Sequence, residues 1–156
     1  MTELAQAVGI SRQTLYKRFE SKEAVFKWMM VEITETSLTD IQATLRDETK
    51  PVSERLVQTY DTWAGQYIDL LRHSPHGGDV ISMVKSDPKG DSKPGEEKIR
   101  KWIAALLYES GYAKSRAAAR DVAFVLSCVS TGLVLSAESR AAYVAGMSRA
   151  VVTLLA

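Results

Sequence analysis

The stretch LAQAVGISRQTLYKRFESKEAVF, residues 4–26, decides how the rest of this chain is read. Leu4 and Val8 share one face of a short helix from Thr2 to Val8, and Ala5 is small enough to let a second helix pack close. Gly9 supplies a turn in which a positive φ costs little. Ser11 is a good N-cap for a second short helix reaching about Phe19, anchored by Ile10 and Leu15. Two short helices joined by a glycine turn make a helix-turn-helix. The free face of the second helix carries Arg12, Gln13, Tyr16 and Lys17, and Ser11–Arg18 holds three cations and no acid. Those side chains suit a reader of the DNA major groove: arginine pairs with guanine, glutamine with adenine, and lysine or tyrosine reaches phosphate. An ordinary hairpin with a solvated basic face does not require spacing, turn chemistry and side-chain choice to coincide in this way.

Outward from this stretch the chain reads as all-α. Of its nine glycines and four prolines, seven fall between Pro75 and Gly95 and none between Ile10 and Lys50. Breaker-free segments with apolar residues three or four apart predict helices, and no period-2 run or Asn-Gly turn argues for strands. Ser21 caps a long helix to about Glu48, with Glu23 in its first turn and a stripe of Phe26, Met30, Ile33, Ser37, Ile41 and Leu45. Pro51 opens the next helix, whose stripe is Val52, Leu56, Tyr60, Trp63, Tyr67 and Leu70. A breaker-rich loop follows, with one short helix near Asp79–Lys85, then a helix from Glu96 to Ser110 closed by Gly111. Ser115 to about Ala137 and Ser139 to about Leu155 form a final hairpin.

That hairpin is apolar nearly all round, more than one chain of this size readily covers. A second copy would supply the cover as an isologous interface, drawn on Leu126, Val129, Leu133, Val144, Met147 and Val151. A net charge of +1 makes the chain neither a polyanion mimic nor a broadly basic coat, so nucleic-acid affinity must come from a local patch. The single cysteine, Cys128, forms no internal disulfide, which fits a reducing cytoplasm. The first residues do not read as a signal peptide. The longest uncharged stretch, Val122–Ala137, is 16 residues long and includes Ser127, Ser130 and Thr131. A bilayer span takes about 20 mostly apolar residues, so no membrane segment is expected.

Residues 4–26 resemble the TetR (tetracycline-repressor-like) family of bacterial transcriptional regulators. The most specific parts are Thr14-Leu15-Tyr16, Phe19 and Ser21-Lys22-Glu23. The resemblance implies an all-α fold with an N-terminal DNA reader and a C-terminal ligand-binding and dimerisation bundle. It implies repression of a palindromic operator in double-stranded DNA, relieved by a small, largely apolar effector, without a cofactor. Carried over by position, Thr2, Ser11, Thr14 and Lys22 correspond to phosphate contacts. Arg12, Gln13 and Lys17 correspond to groove-facing readers, and Tyr16 to a backbone or thymine-methyl contact. Residues 1–27 are then the DNA-binding region and 28–156 the ligand-binding and dimerisation domain. Family members carry a further helix ahead of this point that covers the reader; Met1 stands at the second helix of their pattern. Either Met1 is an internal methionine, or the chain is trimmed, or the first helix is missing; in the last case the reader is incomplete and Leu4, Val8, Leu15 and Phe19 lose cover. The alternative function is then a ligand-binding or protein-interaction module that does not bind DNA.

The remaining candidates are weaker. Tyr60, Trp63, Tyr67, Met83, Trp102 and Phe124 could line an apolar ligand pocket, although such stripes are more often plain core. His73 and His76 flank Pro75 with no further ligand at a metal-binding spacing. Asp87, Asp91, Glu96 and Glu97 match no calcium loop. No nucleophile elbow and no phosphate-cradling glycine loop is found, so the sequence reads as no enzyme.

Overall fold

Gly9 adopts φ +69°, the left-handed conformation the turn was expected to need. It sits in the first of two compact units, Met1–Thr36 and Ser37–Ala156. The computed structural model describes residues 2–7, 9–75, 77–78 and 93–156. Val8, His76, Met83, the helix expected near Asp79–Lys85, and Asp87 and Asp91 lie outside the described residues.

In the first unit α1 spans Thr2–Ala7 and α2 spans Arg12–Arg18; α3, Lys22–Arg46, begins here. The turn closes with the Gly9 N–H donating to Gln6 O at 3.2 Å and the Ile10 N–H to Ala5 O at 3.1 Å. Ser11 is extended, and its hydroxyl accepts the Thr14 N–H at 3.0 Å, satisfying one of the free amides of the first helical turn. Ala5 and Leu15 are buried. Ile10, expected as an anchor, is 41% exposed, so Leu15 and Ala5 hold the helices together. The Phe19 N–H closes α2 on Leu15 O at 2.9 Å, and Ser21 caps α3 by accepting the Ala24 N–H at 3.1 Å. Nothing lies within 4 Å of a Cβ built on Gly9, so Gly9→Ala should cost only the φ penalty. That is about 1–2 kcal/mol, and faster amide exchange in α1 and α2 would register it.

In the second unit the rest of α3 is followed by α4 (Val52–Trp63), a 3-10 turn (Gly65–Tyr67), α5 (Ile68–His73), α6 (Lys93–Glu109), α7 (Arg116–Ser136) and α8 (Arg140–Leu155). Among the described residues the regular structure is all helical. Ser37, Ile41 and Leu45 are buried as the stripe on α3 required. The core joins Ile41 and Leu45 to Leu56 and Tyr60 of α4, Ile68 of α5, Ile99, Ile103 and Leu107 of α6, Leu126 of α7, and Tyr143, Met147 and Val151 of α8. Arg55 donates from Nη1 to Leu45 O at 2.9 Å, and Arg72 donates to Ala137 O and Val134 O at 2.9 and 2.8 Å, so buried or half-buried arginines cap α3 and α7.

The stripe expected to run unbroken to Leu70 does not. Helix α4 stops at Ala64, where φ is −138°, and the chain changes phase through the 3-10 turn. Ile68 takes the buried position and Leu70 is 67% exposed. The break seats Gly65 against α8: a Cβ there would stand 2.7 Å from the Tyr143 ring.

On α7 the buried face is made largely of small residues: Ala119, Ala123, Ser127 and Ser130 beside Leu126. Small side chains allow close helix approach and turn bulkier ones outward. Phe124 is 55% exposed, and Val125, Cys128 and Leu135 are exposed with it, as is Val152 of α8. Leu126, Met147 and Val151, expected at a dimer interface, are instead fully buried in the chain's own core, while Val129, Leu133 and Val144 pack half-buried against it. By length and composition α7 is long enough and apolar enough to cross a membrane, and 28% of that stretch is buried. The expectation of no such segment rested on the uncharged run alone; the helix is longer, beginning at Arg116.

Tyr60 and Tyr143 are the largest fully buried side chains among the described residues. The Tyr60 hydroxyl pairs with Ser127 Oγ at 3.2 Å; the Tyr143 hydroxyl donates to Tyr60 O at 3.2 Å and pairs with Ser130 Oγ at 2.6 Å. Burial pushes the Tyr60 phenol up to about 12 and raises Tyr143 as well. A folded-state pKa above the unfolded value near 10 leaves stability intact below pH 10 and removes it as pH rises toward 12. Each tyrosine should cost about 1.4 kcal/mol per pH unit in that window, measured as the fall in urea midpoint between pH 9 and pH 11.

Candidate nucleic-acid interface

Helix α2 is seven residues long with Leu15 as its buried face. Ser11, Arg12, Gln13, Thr14, Tyr16 and Lys17 are all exposed, as is Lys22 at the start of α3 and Thr2 at the start of α1. Arg12, Gln13, Tyr16 and Lys17 fall at i, i+1, i+4 and i+5, so they form one surface strip two side chains wide. Tyr16 is 48% exposed despite its ring. Arg12 and Lys17 make no ion pair or hydrogen bond with other described residues. They are two cations left for a partner of opposite charge.

Ser11 Oγ and Thr14 Oγ1 lie 2.8 Å apart. Whichever donates, one of the two hydroxyl protons remains free for an acceptor such as a phosphate oxygen. The same serine therefore caps the helix and can present a donor. Arg18, the third cation of the segment, is engaged elsewhere. Its guanidinium stacks 6.0 Å from the Phe19 ring centroid and 5.8 Å from that of Trp28, the two rings being 5.6 Å apart. Arg18 thus braces the α2–α3 corner. An Arg-Phe pair ahead of a tryptophan on the next helix is the sequence signal for this brace, and it was missed. Glu23 is held below the usual carboxyl range by its own backbone N–H and by Ser21, and so stays charged in the first turn of α3, where the helix dipole favours it.

The residues expected to line a ligand pocket are not brought to one described cavity. Tyr60 is core; Trp63 and Trp102 pack half-buried against that core and Tyr67 is half-buried. Phe124 faces a separate groove of about 720 Å³ between α6 and α7. His73 is exposed, with Nδ1 2.7 Å from Asp69 O. Among the described residues no group of three or more His, Cys, Asp or Glu could hold a metal ion.

A strip of arginine, glutamine, tyrosine and lysine on the second helix of a helix-turn-helix is the arrangement with which DNA-binding regulators of this type read the major groove. Residues 1–29 match the family described as bacterial regulatory proteins, tetR family. No curated protein and no solved structure matches the chain.

Proposed function

We propose that this protein is a cytoplasmic repressor that binds a palindromic operator as a homodimer and leaves it when a small, largely apolar effector binds the helical bundle. The observation that carries the DNA reading is the exposed strip of Arg12, Gln13, Tyr16 and Lys17 on a helix held by Leu15 and the Ser11 cap. Arg12 and Gln13 read base edges; Ser11, Thr14, Lys22 and Thr2 hold phosphates. The uncovered faces of α7 and α8, with Val125, Leu135 and Val152 exposed, support a second copy packed against them. To read two half-sites, such a dimer must hold its two recognition helices about 34–36 Å apart, one turn of DNA. Helix α3, 25 residues and about 37 Å long, is the covalent link through which the bundle biases that separation.

We assign the effector to the region of Trp63, Tyr67 and Trp102, whose half-buried rings could repack around an apolar molecule, with Tyr60 and Phe124 on neighbouring turns and helices. A ligand bound only to the folded state at a hundred times its Kd should stabilise the protein by about 2.7 kcal/mol and change tryptophan fluorescence. The test is a screen of apolar compounds by thermal shift, followed by operator release in a gel shift. A compound that stabilises the fold and releases DNA supports the reading; stabilisation with DNA retained overturns it.

A further inference from the structure

The groove between α6 and α7 is unlike the core. One face of α6 and one of α7 line it, and their hairpin closes where the Arg116 guanidinium lies over the Tyr108 ring, 5.4 Å from its centroid. Ala104 and Ala105 form a floor of small apolar side chains, and Phe124 stands 55% exposed on the opposite helix. Four cations line it, Arg100, Lys101, Arg116 and Arg120, against three carboxylates, Glu97, Glu109 and Asp121. Lys101 and Glu97 pair with each other at 2.7 Å, leaving three guanidiniums against two carboxylates. Arg100 and Arg120 make no ion pair or hydrogen bond with other described residues.

We propose that this groove binds a small organic anion, a carboxylate carried on an aromatic or acyl body. The volume of about 720 Å³ lies within the range of small-molecule sites. An apolar body has Ala104, Ala105 and Phe124 to cover, and the carboxylate has the planar donor forks of Arg116 and Arg120 to pair with. The Arg116 guanidinium already lies over the Tyr108 ring, which favours that position before a ligand arrives. The surface is a poor fit for a purely apolar ligand, which would leave the guanidiniums unpaired and partly desolvated. Trp63, Tyr67 and Trp102 do not line it, and it does not depend on the DNA reading.

The test uses the full chain and calorimetric titration with 2-naphthoate and octanoate, and with their neutral amides as probes. Each carboxylate should bind at least about tenfold more tightly than its amide, because the amide cannot form the charge-assisted pair. Arg116→Gln and Arg120→Gln, both at exposed positions, should each weaken naphthoate about tenfold and leave the melting temperature unchanged. Phe124→Ala should weaken naphthoate and its amide alike. Equal binding of acid and amide, unchanged affinity in both arginine variants, or no binding of any probe at millimolar concentration would overturn the proposal.

Discussion

Arg12→Ala should weaken binding of the preferred DNA site by about 1–3 kcal/mol per half-site, if the side chain makes a good bidentate contact to guanine. That is about fivefold to about 150-fold for each protomer. Gln13→Ala should behave likewise at a different base pair. In both variants binding to unrelated DNA should change far less, so the loss appears as relaxed specificity. Lys22→Ala gives the contrasting result: a phosphate contact carries no sequence information. Affinity should then fall on every sequence, and the slope of log K against log salt should shrink by about one unit for each phosphate no longer neutralised. None of these side chains is buried, so the variants should melt with the wild type. Competition binding at several salt concentrations separates the two behaviours.

The second large effect separates folding from association. Leu126 is fully buried at the centre of the core. Leu126→Ala should therefore destabilise the chain by about 2–5 kcal/mol, as cavity-forming substitutions do. Val152 is 65% exposed on the outer face of α8. Val152→Glu costs nothing in an isolated chain but buries an unpaired charge if a second copy packs there, weakening association by about 3–5 kcal/mol. Sedimentation equilibrium should show a folded monomer for Val152→Glu and a less stable dimer for Leu126→Ala. A monomeric wild type at micromolar concentration would remove the dimer from the account.

The helix-turn-helix was legible because every part of it is local. The turn glycine, the serine cap and the buried Leu15 act within a dozen residues, and periodicity then fixes which side chains face out. The helix starts at Ser115 and Ser139 were readable for the same reason, and each serine accepts an amide three residues on. What failed was non-local. The break at Ala64 is set by how close Tyr143 approaches Gly65, a contact 78 residues away along the chain. The buried face of α7 was missed because alanine and serine do not register as an apolar stripe, although they allow the closest helix packing. With that face turned inward, Leu126, Met147 and Val151 went into the core and Phe124, Val125 and Leu135 came out. The unit boundary between Thr36 and Ser37 falls inside the continuous helix α3, where no glycine or proline marks it.

The α6–α7 groove was invisible for a related reason. Its charges are scattered at helical spacing over two segments, and only the hairpin register brings Tyr108 beside Arg116. The aromatic residues named as pocket candidates were found by their size, which selects core as readily as it selects a binding site.

Sequence reading by α2 is what joins the fold to its proposed function. The most direct measurement is selection of bound sites from a randomised duplex library by the full chain and by the Arg12→Ala and Gln13→Ala variants. The account predicts that the wild type enriches a two-fold symmetric site with half-sites about one helical turn apart, and that each variant loses preference at its own base pair while keeping the rest. Recovery of no preferred sequence by the wild type, or of the same sequence with the same strength by all three proteins, would contradict it.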